Sequence, residues 1–237
     1  MADRQRDATL EPALEPALEP AMLSEPKTAS RAFLLDWLKC PEERPSSSGR
    51  YVCIDFETNG ISERGAPFKH WTLPCQNFPT QLSVDIVEDG MVAHVYDTLV
   101  RGATSMSAWA KQNTPITLEA LSTGRPLAVV VEDLADLTQP GDTLVAHNIQ
   151  YDLNQSLAYA CRKQGIDSPA LQKILCAPRF CTMRCAYSKT IGKQIKLETL
   201  CHHFEVPYCS DQAHDAVYDT SVLAQCVAEA WRRGVML

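Results

Sequence analysis

Four acids and one histidine, spread over three short stretches of the chain, have the types and spacing to do chemistry together. Residues 51–60 read YVCIDFETNG, an apolar strand running into Asp55 and Glu57. Alternate strand residues share a face, so these two carboxylates stand side by side while Phe56 points away. Two ionised carboxylates that close repel, and burial raises the cost. Either they form a hydrated strand end, or they share a divalent cation, which turns repulsion into ligation. The second reading needs more carboxylates. LVAHNIQYDL, 144–153, ends a strand at His147-Asn148 and puts Asp152 about one turn into a helix. DQAHDAVYDT, 211–220, is predicted to open a long helix over 212–233 carrying His214, Asp215 and Asp219. On it, residues 215 and 219 share a face and 214 lies beside that face. Taken singly, Asp152 reads as a solvated helix acid and His214 as a helix-start residue without chemical duty. The combination carries the argument.

The elements that must position these residues follow from composition and pattern. A chain of 237 residues, 45% apolar, buries one sizeable core or at most two small ones. The net charge of −7 excludes a uniformly basic coat but leaves local patches open. No apolar run approaches the roughly 18 residues of a membrane span. The N-terminal MADRQRDATLEP carries acids early and lacks the apolar stretch of a secretory signal. Ten cysteines in that setting read as free thiols in a reducing intracellular compartment, cytoplasm or nucleus. Residues 1–49 read as a low-complexity, flexible tail. EPALEPALEPAM places a proline at every fourth position, a spacing no helix or strand tolerates. RAFLLDWLK at 31–39 sets Phe33, Leu34, Trp37 and Leu38 on one stripe, a short helix expected to dock on the main domain or on a partner. PEERPSSSG is a linker, and the folded domain is expected over 50–237.

Within that domain, QLSVDIVEDGMVAHVYDTLV at 81–100 predicts two strands joined at Asp89-Gly90. Helices are expected near 105–111, 117–123 and 126–138, a strand over Thr143–His147, and a helix over 150–164 stopped by Gly165. A short strand near Phe180–Thr182 and helices near 197–204 and 212–233 complete an α/β layer.

Asp55-Phe56-Glu57, then AHN with Asp152, then HDAVYD ending at Asp219, resemble in order and internal spacing the three motifs of the DEDDh 3′–5′ exonucleases. That group includes RNase T, proofreading exonuclease subunits and oligoribonuclease, and the resemblance covers about residues 50–234. The tyrosine-type sister group would have Tyr where Asp215 stands, and Tyr218 is out of phase, so the histidine type is favoured. The resemblance implies an RNase H-like fold, a central five-stranded mixed sheet flanked by helices. It implies that Asp55, Glu57, Asp152 and Asp219 hold two Mg²⁺ or Mn²⁺ ions, hard cations that prefer oxygen. Asp55 would bridge them, Glu57 and Asp219 would hold the ion beside the attacking water, and Asp152 would support the other. His214 would act as general base, suited to neutral pH. The reaction would be in-line hydrolysis at the 3′ end of single-stranded nucleic acid, releasing nucleoside 5′-monophosphates. By the same resemblance Phe56 and Thr58 hold the terminal nucleotide, Ile61 wedges against the last base, and Asn148 orients substrate or a carboxylate. Phe56 reads equally well as core, and His147 as a strand cap.

Residues 161–196 concentrate basic side chains, with Asp167 as the only acid, which suits a phosphate backbone. Lys189, Lys193 and Lys196 are expected to grip the strand. The segment from Ile61 to Thr80 is long for this family. Its Phe68, Trp71 and Phe78 read as sheet cover ahead of base stacking. Cys176, Cys181, Cys185, Cys201, His202 and His203 invite a zinc reading, but their spacing fits no standard pair, and buried thiols are expected. The rival from another class is a catalytically silent module that binds nucleic acid or protein. The presence of all four acids and the histidine argues against it. RNA is placed ahead of DNA because many stand-alone relatives act on RNA. Relatives often pair, which implies a homodimer, and the EPAL tail is expected to tether a protein partner.

Overall fold

A computed structural model of the chain describes residues 49–60, 77–184 and 193–234. The helix proposed at 31–39, and Ile61, Phe68, Trp71, Cys185 and Lys189, lie outside those residues. Strand β1 (Arg50–Thr58) carries both acids near its end. The Arg50 guanidinium pairs with Asp142, fixing its start. β2 (Pro79–Glu88) and β3 (Met91–Arg101) form the predicted hairpin. Its two turn residues, Asp89 and Gly90, both have positive φ, 50° and 74°, the twist a two-residue connection needs. Two short helices follow, α1 (Ala108–Asn113) and α2 (Leu118–Ser122), capped by Ser107 and Thr117. β4 (Arg125–Pro126) pairs in parallel with the end of β3 and leads into α3 (Leu127–Leu137).

β5 (Thr143–Ala146) lies parallel to β1, and the chain then enters a π-type helix, Gln150–Ala158, that continues as α4 (Tyr159–Lys163). Gly165, with φ 69°, ends it as expected. α5 (Pro169–Cys176) is an element the sequence pattern did not predict. Its signal was present: Ser168 caps Leu171 N–H and Pro169 takes the first turn, where a missing N–H costs nothing. β6 (Arg179–Cys181), α6 (Leu197–Phe204) and α7 (Ala216–Arg232) follow in order.

The strand order is β4-β3-β2-β1-β5-β6. Among the described residues, six strands replace the expected five because β4, two residues long, leaves no alternation to read. Both faces of the sheet are covered. Val52, Ile54 and Phe56 of β1 join Leu82 and Val84 in a core closed by α3, α5 and the π-helix. Cys53 faces the other way, with Val87 and Val145, onto α6 and α7. Because side chains alternate, Asp55 and Glu57 share the Cys53 face. That face is the one α7 covers. α7 meets the sheet through small side chains, Ala216, Thr220, Ala224 and Ala228, which lets helix and strands approach closely. Phe78 is buried in the first core, as sheet cover.

Candidate active site

The central position of β1 brings Asp55 and Glu57 to the floor of a cleft of about 550 Å³. Asp152, Asp219, His214, Asn148 and Thr58 line the same cleft, as do Trp109, Tyr151 and Lys196. Ligand atoms of Glu57, His214 and Asp219 lie within 4.8 Å of one another. A second cleft, about 670 Å³, is lined by Asp211, Asp215 and Tyr218 among others and holds none of the four acids.

Each acid arrives by a local device. Glu57 sits just before a register shift between β1 and β2, at the point where the regular ladder ends. Asp152 opens the π-helix, a wide turn often used to re-aim a side chain, and its Oδ1 accepts the Phe56 N–H at 3.2 Å. Asp219 Oδ2 accepts the His214 N–H at 3.0 Å, while Oδ1 is buried without a hydrogen-bond partner. The predicted helix start at 212 is corrected. α7 begins at Ala216, because Asp215 caps it by accepting the Val217 N–H at 3.0 Å. His214 therefore precedes the helix in a left-handed conformation, φ 66°, its ring edge-on to Trp109 with centroids 5.0 Å apart.

The electrostatics are those of crowded, buried carboxylates. Burial raises Asp55 well above the usual carboxylate range, and the charges of Asp152, Glu57, Asp219 and Asp215 add to it. Burial, then Asp219, Asp152 and Asp215, push Glu57 up to about 8. Burial takes Asp152 to about 7 against the lowering effect of the Phe56 N–H. Asp219 rises to about 6, again chiefly by burial, with His214 opposing. A group of anions raised this far, with one buried oxygen unpartnered, is an oxygen-rich donor set suited to hard divalent cations.

The remaining residues divide. Thr58 is buried, with its Oγ 2.7 Å from the Tyr151 hydroxyl. The Asn148 carbonyl accepts the Tyr151 and Asp152 N–H groups, and Asn148 takes φ 107°. The Phe56 ring packs in the core, 4% exposed, in keeping with one of its two readings, and the residue also lines the cleft. His147 does more than cap a strand. One ring nitrogen lies 2.9 Å from Thr182 Oγ and the other 3.1 Å from the Ile195 carbonyl, and burial lowers its pKa to about 4. A neutral imidazole there ties the end of β6 to the approach to α6.

In the basic stretch, Lys193 and Lys196 are exposed. Arg179 instead is buried against Asn154 and the Leu175 carbonyl, and Lys173 donates to the Ala135 carbonyl at 2.7 Å. Cys53, Cys161, Cys181, Cys201 and Cys226 are buried free thiols, and Cys176 and Cys209 exposed ones. Among the described residues, Glu57, His214 and Asp219 form the one metal-competent group, and the cysteines form none. Sequence reasoning missed Trp109, an aromatic 41% exposed on the cleft wall. Its apolar neighbours on a short helix gave no reason to single it out.

This mixed sheet, with acids gathered at the end of its central strand, is an RNase H-like fold of the kind nucleases use. The exonuclease family model of the RNase T type matches residues 52–227, and the chain belongs to that family. A 3′-exonuclease solved in 3′-end-specific recognition of a histone mRNA stem-loop superposes with a TM-score of 0.62. Identity is 16%, over 81% of this chain and 85% of that one. Exonuclease I of E. coli, in a zinc-bound complex with single-stranded DNA, gives 0.60 at 16% identity, over 79% of this chain and 41% of that one. The PolC-type DNA polymerase III of Thermotoga petrophila is 22% identical over 155 residues, 65% of this chain. The chain spans 10% of that polymerase's length. No helix among the described residues is long and apolar enough to cross a membrane.

Proposed function

We propose that the chain is a divalent-cation-dependent 3′–5′ exonuclease that trims single-stranded 3′ ends, RNA ahead of DNA, to nucleoside 5′-monophosphates. The observation that carries this is the convergence of Glu57, His214 and Asp219 within 4.8 Å, in the cleft that Asp55 and Asp152 also line. Asp55, Glu57, Asp152 and Asp219 would hold two ions, Mg²⁺ or Mn²⁺. Bound there, such cations neutralise the carboxylates, acidify a coordinated water and stabilise charge on phosphate oxygens.

The chain's own residues do the rest. His214, at the rim beside Glu57 and Asp219, takes the proton of the attacking water through its imidazole. The backbone N–H of Phe56 holds the Asp152 carboxylate in place, and that of His214 holds Asp219. Thr58, Asn148 and the Trp109 face position the terminal nucleotide, while Lys193 and Lys196 neutralise phosphates further along. RNA is put first because the RNA-recognising neighbour superposes better, at a TM-score of 0.62, than DNA-bound exonuclease X at 0.52, with most of both chains matched in each case. Residues 1–49 serve as a tether to a protein partner, two copies pair, and the buried thiols fit a reducing compartment.

The test is incubation of the full chain with end-labelled RNA and DNA oligonucleotides of matched sequence. Stepwise shortening from the 3′ end with Mg²⁺, lost in EDTA and in Asp55→Ala, supports the proposal. Binding without shortening makes the chain a silent module, and faster shortening of DNA reverses the substrate order. Light scattering of the purified chain decides whether it pairs.

A further inference from the structure

The turn carrying His214 needs an external support. His214 is exposed and left-handed, and it stands outside α7, so the helix's own hydrogen-bond ladder does not fix it. Its N–H is committed to Asp219, and the next residue, Asp215, is committed to capping Val217. These bonds tie the turn to its own helix, while the body of α7 meets the sheet further along, from Ala216 and Thr220 on. At the turn itself, a side chain of β2 makes a polar link to the sheet. Gln81 of β2 is 9% exposed. Its Nε2 donates to Asp215 Oδ1 at 3.5 Å, and its Oε1 accepts the Ala216 N–H at 3.4 Å. One carboxamide thus commits its donor to the cap and its acceptor to the first helical N–H. Neither a hydrocarbon nor a carboxylate of the same length can do both.

The register gives this pairing its significance. Gln81 lies directly opposite Glu57 in the β1–β2 ladder. Directly opposite residues share a sheet face, so the position that supplies an acid on one strand supplies the support for the histidine turn on the next. We propose that Gln81 is a positioning residue for the proposed hydrolysis, latching the His214–Ala216 turn to the sheet so that the imidazole stays beside Glu57 and Asp219. The inference rests on the nuclease reading for its kinetic consequence, but not for its structural one.

Two variants test it. Gln81→Met keeps length and volume and removes both polar ends. Gln81→Glu keeps the acceptor and sets a negative charge against Asp215. With a single-stranded oligonucleotide and Mg²⁺, both variants lower kcat about 10–100-fold, the scale of a small misplacement of a reacting group. KM stays within about threefold, because Gln81 does not touch the substrate. In a His214→Ala background the same substitutions cost less than about twofold, since two residues acting as one unit are not additive. Hydrogen exchange gives a reading independent of turnover. Amides of residues 214–219 exchange about tenfold faster in Gln81→Met, while β1 and β2 keep wild-type protection. An unchanged kcat in both variants overturns the latch, as does an equal loss in the two backgrounds. Unchanged exchange at 214–219 overturns it as well. A wild-type chain that shortens no oligonucleotide refutes the nuclease reading alone, and exchange then decides the latch by itself.

Discussion

Asp152→Asn is predicted to move stability and activity in opposite directions. Asp152 is 3% exposed, and burial lifts its carboxyl from an ordinary 3.8 to about 7. A carboxyl that binds its proton more tightly when folded contributes stability below its unfolded pKa. That contribution is lost as pH rises through the folded one. At pH 8 without divalent cations, wild-type Asp152 is ionised in both states, and the folded state carries the strain. The gap between 3.8 and about 7, at ~1.4 kcal/mol per tenfold in proton affinity, caps that strain at roughly 4 kcal/mol. Relaxation and water in the cleft reduce it, so the expected gain is about 1–3 kcal/mol, or a Tm rise of roughly 2–10 °C. Asparagine suits the test because its Oδ1 can still accept the Phe56 N–H, now at 3.2 Å. Thermal unfolding in EDTA at pH 8 should show the variant above wild type. At pH 5 the difference should shrink, because folded wild-type Asp152 is then protonated. Saturating Mg²⁺ should raise wild type more than the variant, and the variant should not shorten oligonucleotides. A variant less stable than wild type in EDTA at pH 8 refutes the electrostatic account of this cleft.

Four other outcomes are expected. His214→Ala should lower kcat about 10²–10⁴-fold, the usual worth of a general base, with Tm nearly unchanged because the side chain is exposed; unaltered single-turnover rates would remove it from the mechanism. Replacing Lys193 and Lys196 by serine should weaken oligonucleotide binding and reduce the slope of log K against log salt by about 1 for each phosphate no longer neutralised. Trp109→Ala should weaken binding by about 1–3 kcal/mol if a base stacks on it, with stability within ~0.5 kcal/mol, read by fluorescence anisotropy and thermal melts. Mg²⁺ binding at pH 7 should release protons, because Glu57, pushed to about 8, must ionise to ligate; calorimetry in buffers of different ionisation enthalpy measures this directly.

The acids were legible in the sequence because strand alternation fixes Asp55 and Glu57 on one face without reference to anything distant. The Asp89-Gly90 turn was equally local, as was the Gly165 stop. What failed depended on competition or on tertiary partners. DQAHDAVYD carries acids at helical spacing, yet Asp215 caps more favourably than it continues a helix, so α7 starts four residues later than its pattern reads. His147 and Gln81 acquire their duties from Thr182, Ile195, Asp215 and Ala216, which no window of sequence places beside them. β4 exists because the end of β3 offers it an edge. Arg179 counts in the basic stretch by charge alone, but it is buried against Asn154 and the Leu175 carbonyl, which no window of sequence foretells.

The route of the chain into the cleft has a consequence for how the molecule is made. Asp55 and Glu57 come from the first strand, while His214 and Asp219 come from the turn and helix that follow every strand of the sheet. A polypeptide still emerging from the ribosome, or clipped ahead of the His214 turn, therefore lacks the histidine and one acid. Such a partial product would hold only part of the proposed cation-binding set. The proposed site would be complete only once α7 has settled on the sheet, so assembly of the cleft would report that packing step.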